Sequence, residues 1–370
     1  MAASEVLHVL TVNAGSTSLK LERYALTGDP GDPATAPLAS DVRSPESADA
    51  GKALADALRD DVTLVAHRFV RVPDGSPPAF VLDTAARERI AAAGADAPLH
   101  DARALGYVDI VGLLRPDVRQ VAVSDSAFHT TMPAAATTYA LPRALTERGL
   151  RRIGFHGLSH AYAAARGAAI AGVPLRQSRI VTAHLGGGSS LCAVRSGESV
   201  DTTMGYTPLE GVPMATRSGS VDPGLLLHLL REGMTAADLE DMLEHRSGLL
   251  GISGRSGDVR ELLAARDDAN ARLALDVLAW RVRAAFGAMI ATLGAADCLV
   301  FTGGIGEHAA ELRAAVIEGG LGSGVRLDPA RNAAAVEGRI DAVGSAVAVC
   351  IVTAREGWML ARAAAQLTRS

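Results

Sequence analysis

The amino-acid sequence predicts an α/β protein of two domains with a duplicated core. Three observations carry this. The chain has 370 residues, which at roughly 150 residues per domain suggests about two folding units. Strand-like apolar runs alternate with helical stretches along its whole length. A strand, a turn of small residues and a second strand recur about 170 residues apart, too far for a short repeat array.

Residues 6–12 form an apolar run that ends in Asn13-Ala-Gly-Ser-Thr-Ser18, and residues 19–26 resume the alternation, so two strands meet at a tight turn. Residues 29–47, rich in Pro, Gly, Ala and Ser, read as a surface loop. Strands follow at 62–70 and 118–123. The opening grammar then returns: a strand at 180–184, the turn Leu185-Gly-Gly-Gly-Ser-Ser190, and strands at 191–194 and 199–203. Strands at 297–302 and 346–352 and helices at 159–171, 272–293 and 306–316 complete the alternation. No linker separates the halves, so the boundary has to be placed by motif.

Composition narrows the function classes. With 48% hydrophobic and 21% charged residues and a formal charge of −5 the chain has no basic excess, which argues against a nucleic-acid partner. Cys192, Cys298 and Cys350 are odd in number and lie in apolar contexts, so buried thiols in a reducing cytoplasm are expected rather than disulfides or a thiolate metal site. Residues 1–12 carry an acid and no basic segment ahead of a short apolar run, so no signal peptide is expected. The longest apolar stretch, 284–296, is shorter than the roughly 18 residues of a membrane span and reads as a core helix.

Three glycine-containing turns carry the chemistry. Val12-Asn-Ala-Gly-Ser-Thr-Ser-Leu-Lys20 combines a glycine, which lets backbone N–H groups approach an anion, with hydroxyl and amide groups suited to phosphate or Mg²⁺. His184-Leu-Gly-Gly-Gly-Ser-Ser190 repeats the pattern, with Gly186 and Gly188 as the cradle. Phe301-Thr-Gly-Gly-Ile-Gly-Glu307 sets Gly304 and Gly306 between a strand and a helix start, where amides and the helix dipole can meet a nucleotide. Each alone reads equally as an ordinary turn. Neither G-x-x-x-x-G-K-[ST] nor a complete G-x-G-x-x-G is present, which argues against a P-loop NTPase and a dinucleotide dehydrogenase. His156 and His160 are spaced i and i+4 like a zinc pair, but Gly157 stands where the general-base glutamate would be and no third ligand is evident.

Taken in order with Ala127-Phe-His-Thr-Thr-Met-Pro133, Gly154-Phe-His-Gly-Leu-Ser-His160, Met204-Gly-Tyr-Thr-Pro-Leu-Glu-Gly211 and Thr216-Arg-Ser-Gly-Ser-Val-Asp-Pro223, these loops resemble the acetate kinase family of the actin, sugar-kinase and heat-shock-ATPase superfamily, from Val9 to Arg362. The resemblance implies two ribonuclease-H-like domains, residues 1–126 plus 357–370 and residues 127–356, with an interdomain active-site cleft. It implies transfer of the ATP γ-phosphoryl group to a short carboxylic acid, acetate first and propionate second, reversibly and with Mg²⁺ or Mn²⁺, in a cytoplasmic homodimer without nucleic-acid or membrane partners. A kinase for another small acid and a non-catalytic nucleotide-binding relative are the alternatives.

The same resemblance implies residue roles. Arg68 grips the carboxylate, and Arg217 and His156 bind the transferring phosphoryl group, roles that suit a planar, permanently charged guanidinium. Asp125 orients, and Asn13 and Glu356 hold Mg²⁺. Val70, Leu99, His100, Phe155 and Pro208 surround the substrate. Lys20, His184, Gly186, Gly188, Asp258, Arg260, Gly304 and Gly306 serve the nucleotide. The pattern breaks at Asp101 to Arg103, Arg71-Val-Pro73, Gly187, Ala215 and Ala354-Arg-Glu-Gly357, which leaves the preferred acid open while the fold is expected to stand.

Overall fold

The computed structural model describes residues 6–15, 18–26, 35–44, 49–93, 98–321 and 324–369. The chain divides into two compact units, one running to Phe128 and taking in the chain from Arg355 onward, the other spanning His129–Ala354.

The first unit is built on strands β1 (Leu7–Ala14), β2 (Leu19–Leu26), β3 (Ala39–Arg43), β4 (Leu64–Phe69), β5 (Ala79–Val81) and β6 (Arg119–Ser124), in the order β3-β2-β1-β4-β6-β5. β1, β4 and β6 run parallel, and β2, β3 and β5 pair antiparallel at the flanks. The parallel centre explains why every residue of β4 is buried: both faces of such a sheet are covered, so burial is continuous instead of alternating, through the apolar residues 64–66 and on to His67, Arg68 and Phe69. The helix Glu356–Arg369 packs on β1 and β4, burying Trp358, Leu360, Ala361, Ala364 and Ala365 on one stripe of mostly small side chains.

The second unit repeats the plan with β7 (Arg179–Leu185), β8 (Ser189–Arg195), β9 (Glu198–Thr202), β10 (Cys298–Thr302), β11 (Gly338–Arg339) and β12 (Ala348–Ile351), in the order β9-β8-β7-β10-β12-β11. Its parallel strands are β7, β10 and β12. The helix Gly157–Ala171 lies on one face. The 25-residue helix Ala269–Leu293 lies on the other, with Leu278, Val282, Phe286 and Met289 in the core. The predicted apolar stretch 284–296 lies in this helix as far as Leu293, beyond which Gly294 caps it, and among the described residues no helix is long and apolar enough to cross a membrane. All three cysteines are buried and unbridged.

Two expectations need correction. The predicted loop 29–47 contains β3, an edge strand whose residues are mostly exposed and so carry no apolar alternation. The predicted helix 306–316 is two helices, Gly303–His308 and Ala310–Glu318, because Ala309 turns to a non-helical ψ of 79°.

Gly167 sets how closely the helix Gly157–Ala171 approaches β10, since a Cβ there would collide with Val300 Cγ2. Gly167→Ala is therefore expected to lower unfolding free energy by about 1–3 kcal/mol, the usual cost of overpacking a filled core. Thermal unfolding of Gly167→Ala and of Gly167→Ala/Val300→Ala checks this. The second substitution should restore most of the loss.

Candidate active site

In the first unit the C-terminal ends of the parallel strands bring four sequence-predicted residues into one hydrogen-bonded chain. Arg68, on β4, is buried; its Nη2 donates to Asp125 Oδ2 at 2.8 Å and its Nη1 to Asn13 Oδ1 at 3.3 Å. Asn13, at the end of β1, donates in turn from Nδ2 to Glu356 Oε2 at 3.1 Å. Asp125 is fully buried, with its backbone N–H bonded to Phe69 O. Taking a carboxylate and a guanidinium out of water is costly, and removing one partner of such a pair costs about 3–5 kcal/mol, so the pair must stay together.

Beside Arg68, His67 is buried with Nε2 donating to Gln120 Oε1 at 2.8 Å, while Nδ1 has no partner among the described residues. Burial pushes its pKa down to about 4. Lys20, the end of the first predicted loop, is bonded to Glu22 on its own strand at 3.0 Å. Gly357 stands close to that carboxylate, where a Cβ would collide with Glu22 Oε2. Val70 is buried. Ser16 and Thr17, which supply the first loop's central hydroxyls, lie outside the described residues, as do the side chains of Leu99, His100 and Asp101 in the first turn of the helix Pro98–Leu114.

In the second unit, loop 186–188 joins β7 to β8 and is closed by Gly186 N–H donating to Gly188 O at 3.1 Å. A Cβ on Gly188 would lie 3.3 Å from His156 Nε2 and 3.5 Å from Arg217 Nη1, so an imidazole and a guanidinium flank the loop closely. His156 has φ 57° and ψ 26°, a left-handed conformation that costs a residue with a side chain roughly 1–2 kcal/mol. Such strain persists where surrounding bonds over-determine it. Here the imidazole stacks on His184 with ring centroids 4.4 Å apart, and Nδ1 lies 2.9 Å from Ser190 Oγ.

Arg217 is also buried, and Nε donates to Glu244 Oε2 at 2.7 Å while Thr216 Oγ1 donates to Glu244 O. The two departures Gly187 and Ala215 meet directly, Ala215 N–H donating to Gly187 O at 3.3 Å. Phe155 is buried, and Pro208 is half-buried in the segment that Glu210 fixes through Tyr139 and Arg152, at 2.6 Å each. Gly303 and Gly306 pack against the end of β7, where added Cβ atoms would lie 2.7 Å from Leu185 O and 3.7 Å from Ala183 O. Asp258 caps its helix by accepting from Arg260 N–H, and the two side chains pair at 2.6 Å with Arg260 largely exposed.

Sequence reasoning singled out neither Glu244, Thr182 nor Gln120, and it gave Ser190 no role beyond closing the second glycine loop. Each is a polar residue in a helix or strand whose partners lie 12 to 53 positions away, so nothing local shows what it bonds. The donor set is oxygen and nitrogen throughout. Among the described residues no group of three or more His, Cys, Asp or Glu is placed to hold a metal ion. An ion that keeps most of its water and binds through one or two protein oxygens, as Mg²⁺ does, asks for no such cage, and the Glu356 and Asn13 oxygens fit it.

The buried histidines have a stability consequence. His67 has a folded pKa near 4 against an ordinary 6.5, and burial and the neighbouring His129 and His184 lower that of His160 as well. Between those values the unfolded chain binds the proton and the folded one does not, so stability is lost as pH falls from about 6.5 to about 4, by roughly 3 kcal/mol for His67. Urea unfolding from pH 7 to pH 4.5 should show the decline, and His67→Gln should flatten it.

Residues 48–362 match the Acetokinase family. The chain is 37% identical to the acetate kinase of Thermosynechococcus vestitus over 98% of both chains, and 45% identical to that of Gloeobacter violaceus over 82% of this chain and 76% of that protein. Among solved structures it is similar to the acetate kinase of Porphyromonas gingivalis, at 31% identity and a TM-score of 0.86 over 98% of this chain and 100% of that one. A propionate kinase from Francisella tularensis aligns at 31% identity and a TM-score of 0.87, over 97% and 99%. With 315 of 370 positions inside the family match and a full-length relative above 30% identity, the chain belongs to the acetokinase family.

Proposed function

We propose that the protein transfers the γ-phosphoryl group of ATP to a short carboxylic acid, acetate or propionate, giving an acyl phosphate and ADP in a reversible reaction. The observation that carries this is the buried, permanently charged Arg68 at the end of β4, held on one side by Asp125 and Asn13. A desolvated guanidinium presents a fork that matches a carboxylate.

The carboxylate oxygen attacks the γ-phosphorus in line, a new P–O bond forms, and the bond to the β,γ-bridging oxygen breaks with its electron pair leaving on ADP. No proton is transferred, because a carboxylate is already ionised near pH 7. Asp125 therefore needs no general-base role and fixes the orientation of Arg68. Arg217 and His156, beside Gly188, are suited to the equatorial oxygens, where donors aimed at developing charge contribute most. Mg²⁺, or Mn²⁺, neutralises the nucleotide phosphates when bound, and Glu356 with Asn13 would hold it. Loop 186–188 would serve the phosphates, with His184 beside it. Gly304, Gly306, Asp258 and Arg260 would serve the remainder of the nucleotide, and Val70, Leu99, His100, Phe155 and Pro208 the acid.

A homodimer is part of the reading. In the helix Pro223–Arg231 no residue is buried, and Leu227 and Leu230, one turn apart on the same face, are 52% and 40% exposed, an apolar patch that a second copy would cover. The buried, unbridged cysteines support a cytoplasmic setting.

Purified protein with Mg-ATP should form ADP only when a small acid is added, and hydroxylamine should trap the acyl phosphate. Equal ADP release with and without acid would sink the reading. A panel of acetate, propionate, butyrate and a hydroxy acid ranks the acids by kcat/KM. One methylene in an apolar pocket is worth about 1–3 kcal/mol, so the ranking should be graded.

Arg217→Ala should lower kcat by about 10³-fold, the scale of arginine stabilisation in phosphoryl transfer, and Arg68→Ala should in addition raise the KM for the acid. Steady-state kinetics separate the two roles. Light scattering at micromolar concentration should give twice the chain mass, reduced to the monomer by Leu227→Asp.

A further inference from the structure

We propose that His160 and Ser190 are positioning residues that hold His156 in its neutral Nε2–H tautomer, so that it meets the transferring phosphoryl group as a hydrogen-bond donor. The inference rests on the phosphoryl-binding role proposed for His156 and specifies where that residue's proton sits and what puts it there.

Thr182, a fully buried residue of β7, has its Oγ1 2.7 Å from His160 Nδ1. Among the described residues His160 is the partner of that hydroxyl. A buried O–H has one hydrogen to place, and leaving it unplaced costs about 1–3 kcal/mol, so Thr182 donates and Nδ1 of His160 is the acceptor. His160 is itself fully buried, and burial, which penalises the charged form, keeps the ring neutral. A neutral ring that accepts at Nδ1 carries its hydrogen on Nε2.

That Nε2–H donates to Ser190 Oγ at 2.8 Å. The hydrogen of Ser190 is then free for the ring on its other side, and it goes to His156 Nδ1 at 2.9 Å. With Nδ1 accepting, the hydrogen of a neutral His156 is on Nε2, the atom that faces Gly188 beside Arg217. The reverse sequence would turn a lone pair toward phosphoryl oxygens, acceptor against acceptor.

Two neighbours obey the same rule. Nε2 of His129 lies 2.9 Å from Phe155 O, which can only accept, so it bears the hydrogen, with Nδ1 2.9 Å from Ser199 Oγ. Ser159, buried on the helix Gly157–Ala171, lies 2.7 Å from His184 Nδ1, so its hydroxyl donates there and His184 also carries Nε2–H. The stacked rings of His156 and His184 thus present two neutral donors, which avoids the repulsion two imidazolium ions would suffer at 4.4 Å.

The test is long-range ¹H–¹⁵N correlation of the histidine rings in the intact protein, with His156 signals identified by their loss in His156→Gln. The expected wild-type spectrum has a pyridine-type Nδ1 and a pyrrole-type Nε2 at His156. Ser190→Ala should mix the tautomers and lower kcat about tenfold, the fraction of competent enzyme lost, with KM values nearly unchanged. Ser190→Thr, which keeps the hydroxyl, should recover both.

A wild-type His156 protonated at Nδ1 alone would overturn the proposal whatever the variants do. So would a Ser190→Ala enzyme with unaltered His156 signals and unaltered kcat. Absence of turnover with any acid would instead remove the phosphoryl-transfer reading, and the spectrum would still decide the tautomer.

Discussion

A guanidinium removed from water must be answered by a carboxylate, and the first unit is arranged around that requirement. Arg68 and Asp125 sit on adjacent parallel strands whose register pairs Arg68 with Val123 and Phe69 with Ser124, which delivers Asp125 just beyond the sheet beside the arginine. Asn13 comes from the next strand over, and Glu356 from the helix packed across them. One buried cation thereby ties the ends of three strands and a helix to a common point. Displacing any of these elements would leave a charge or an amide without its partner in low dielectric.

The second unit has the same strand order and uses it for different chemistry. Where β1 ends in Asn13, β7 ends in His184 and Leu185, and the loop that follows is bounded by imidazoles with Arg217 as the buried cation. Neutral imidazoles bonded to buried hydroxyls incur little desolvation, so several pack within 4–7 Å of each other, which a cluster of charged side chains would not tolerate. Arg217 is balanced by Glu244 from a helix whose residues are otherwise at least partly exposed. The duplicated scaffold fixes where strand ends lie. The side chains placed there decide which charges each end can carry.

The sequence was sufficient for the central strands, because a run buried on both faces is mostly apolar without alternation, as residues 64–66 and 298–301 are. It also marked the turns by their small residues, and it marked Arg68, Asp125, His156 and Arg217 through the order of their motifs. Edge strands escaped it: β3 faces water on most positions, and β5 and β11 are two or three residues long, too short for a period to register.

What tertiary structure alone decided is pairing. Ser190 lies 34 positions from His156 and 30 from His160, and it reaches both because β8 turns back on β7 in a register that sets Ser190 opposite His184. Glu244 meets Arg217 only because its helix docks beside that segment. A sequence records which residues can donate, accept or carry charge. A hydrogen bond exists only when two such atoms come within about 3 Å, and for partners far apart in the chain that distance is set by strand register and helix docking, which no local pattern encodes.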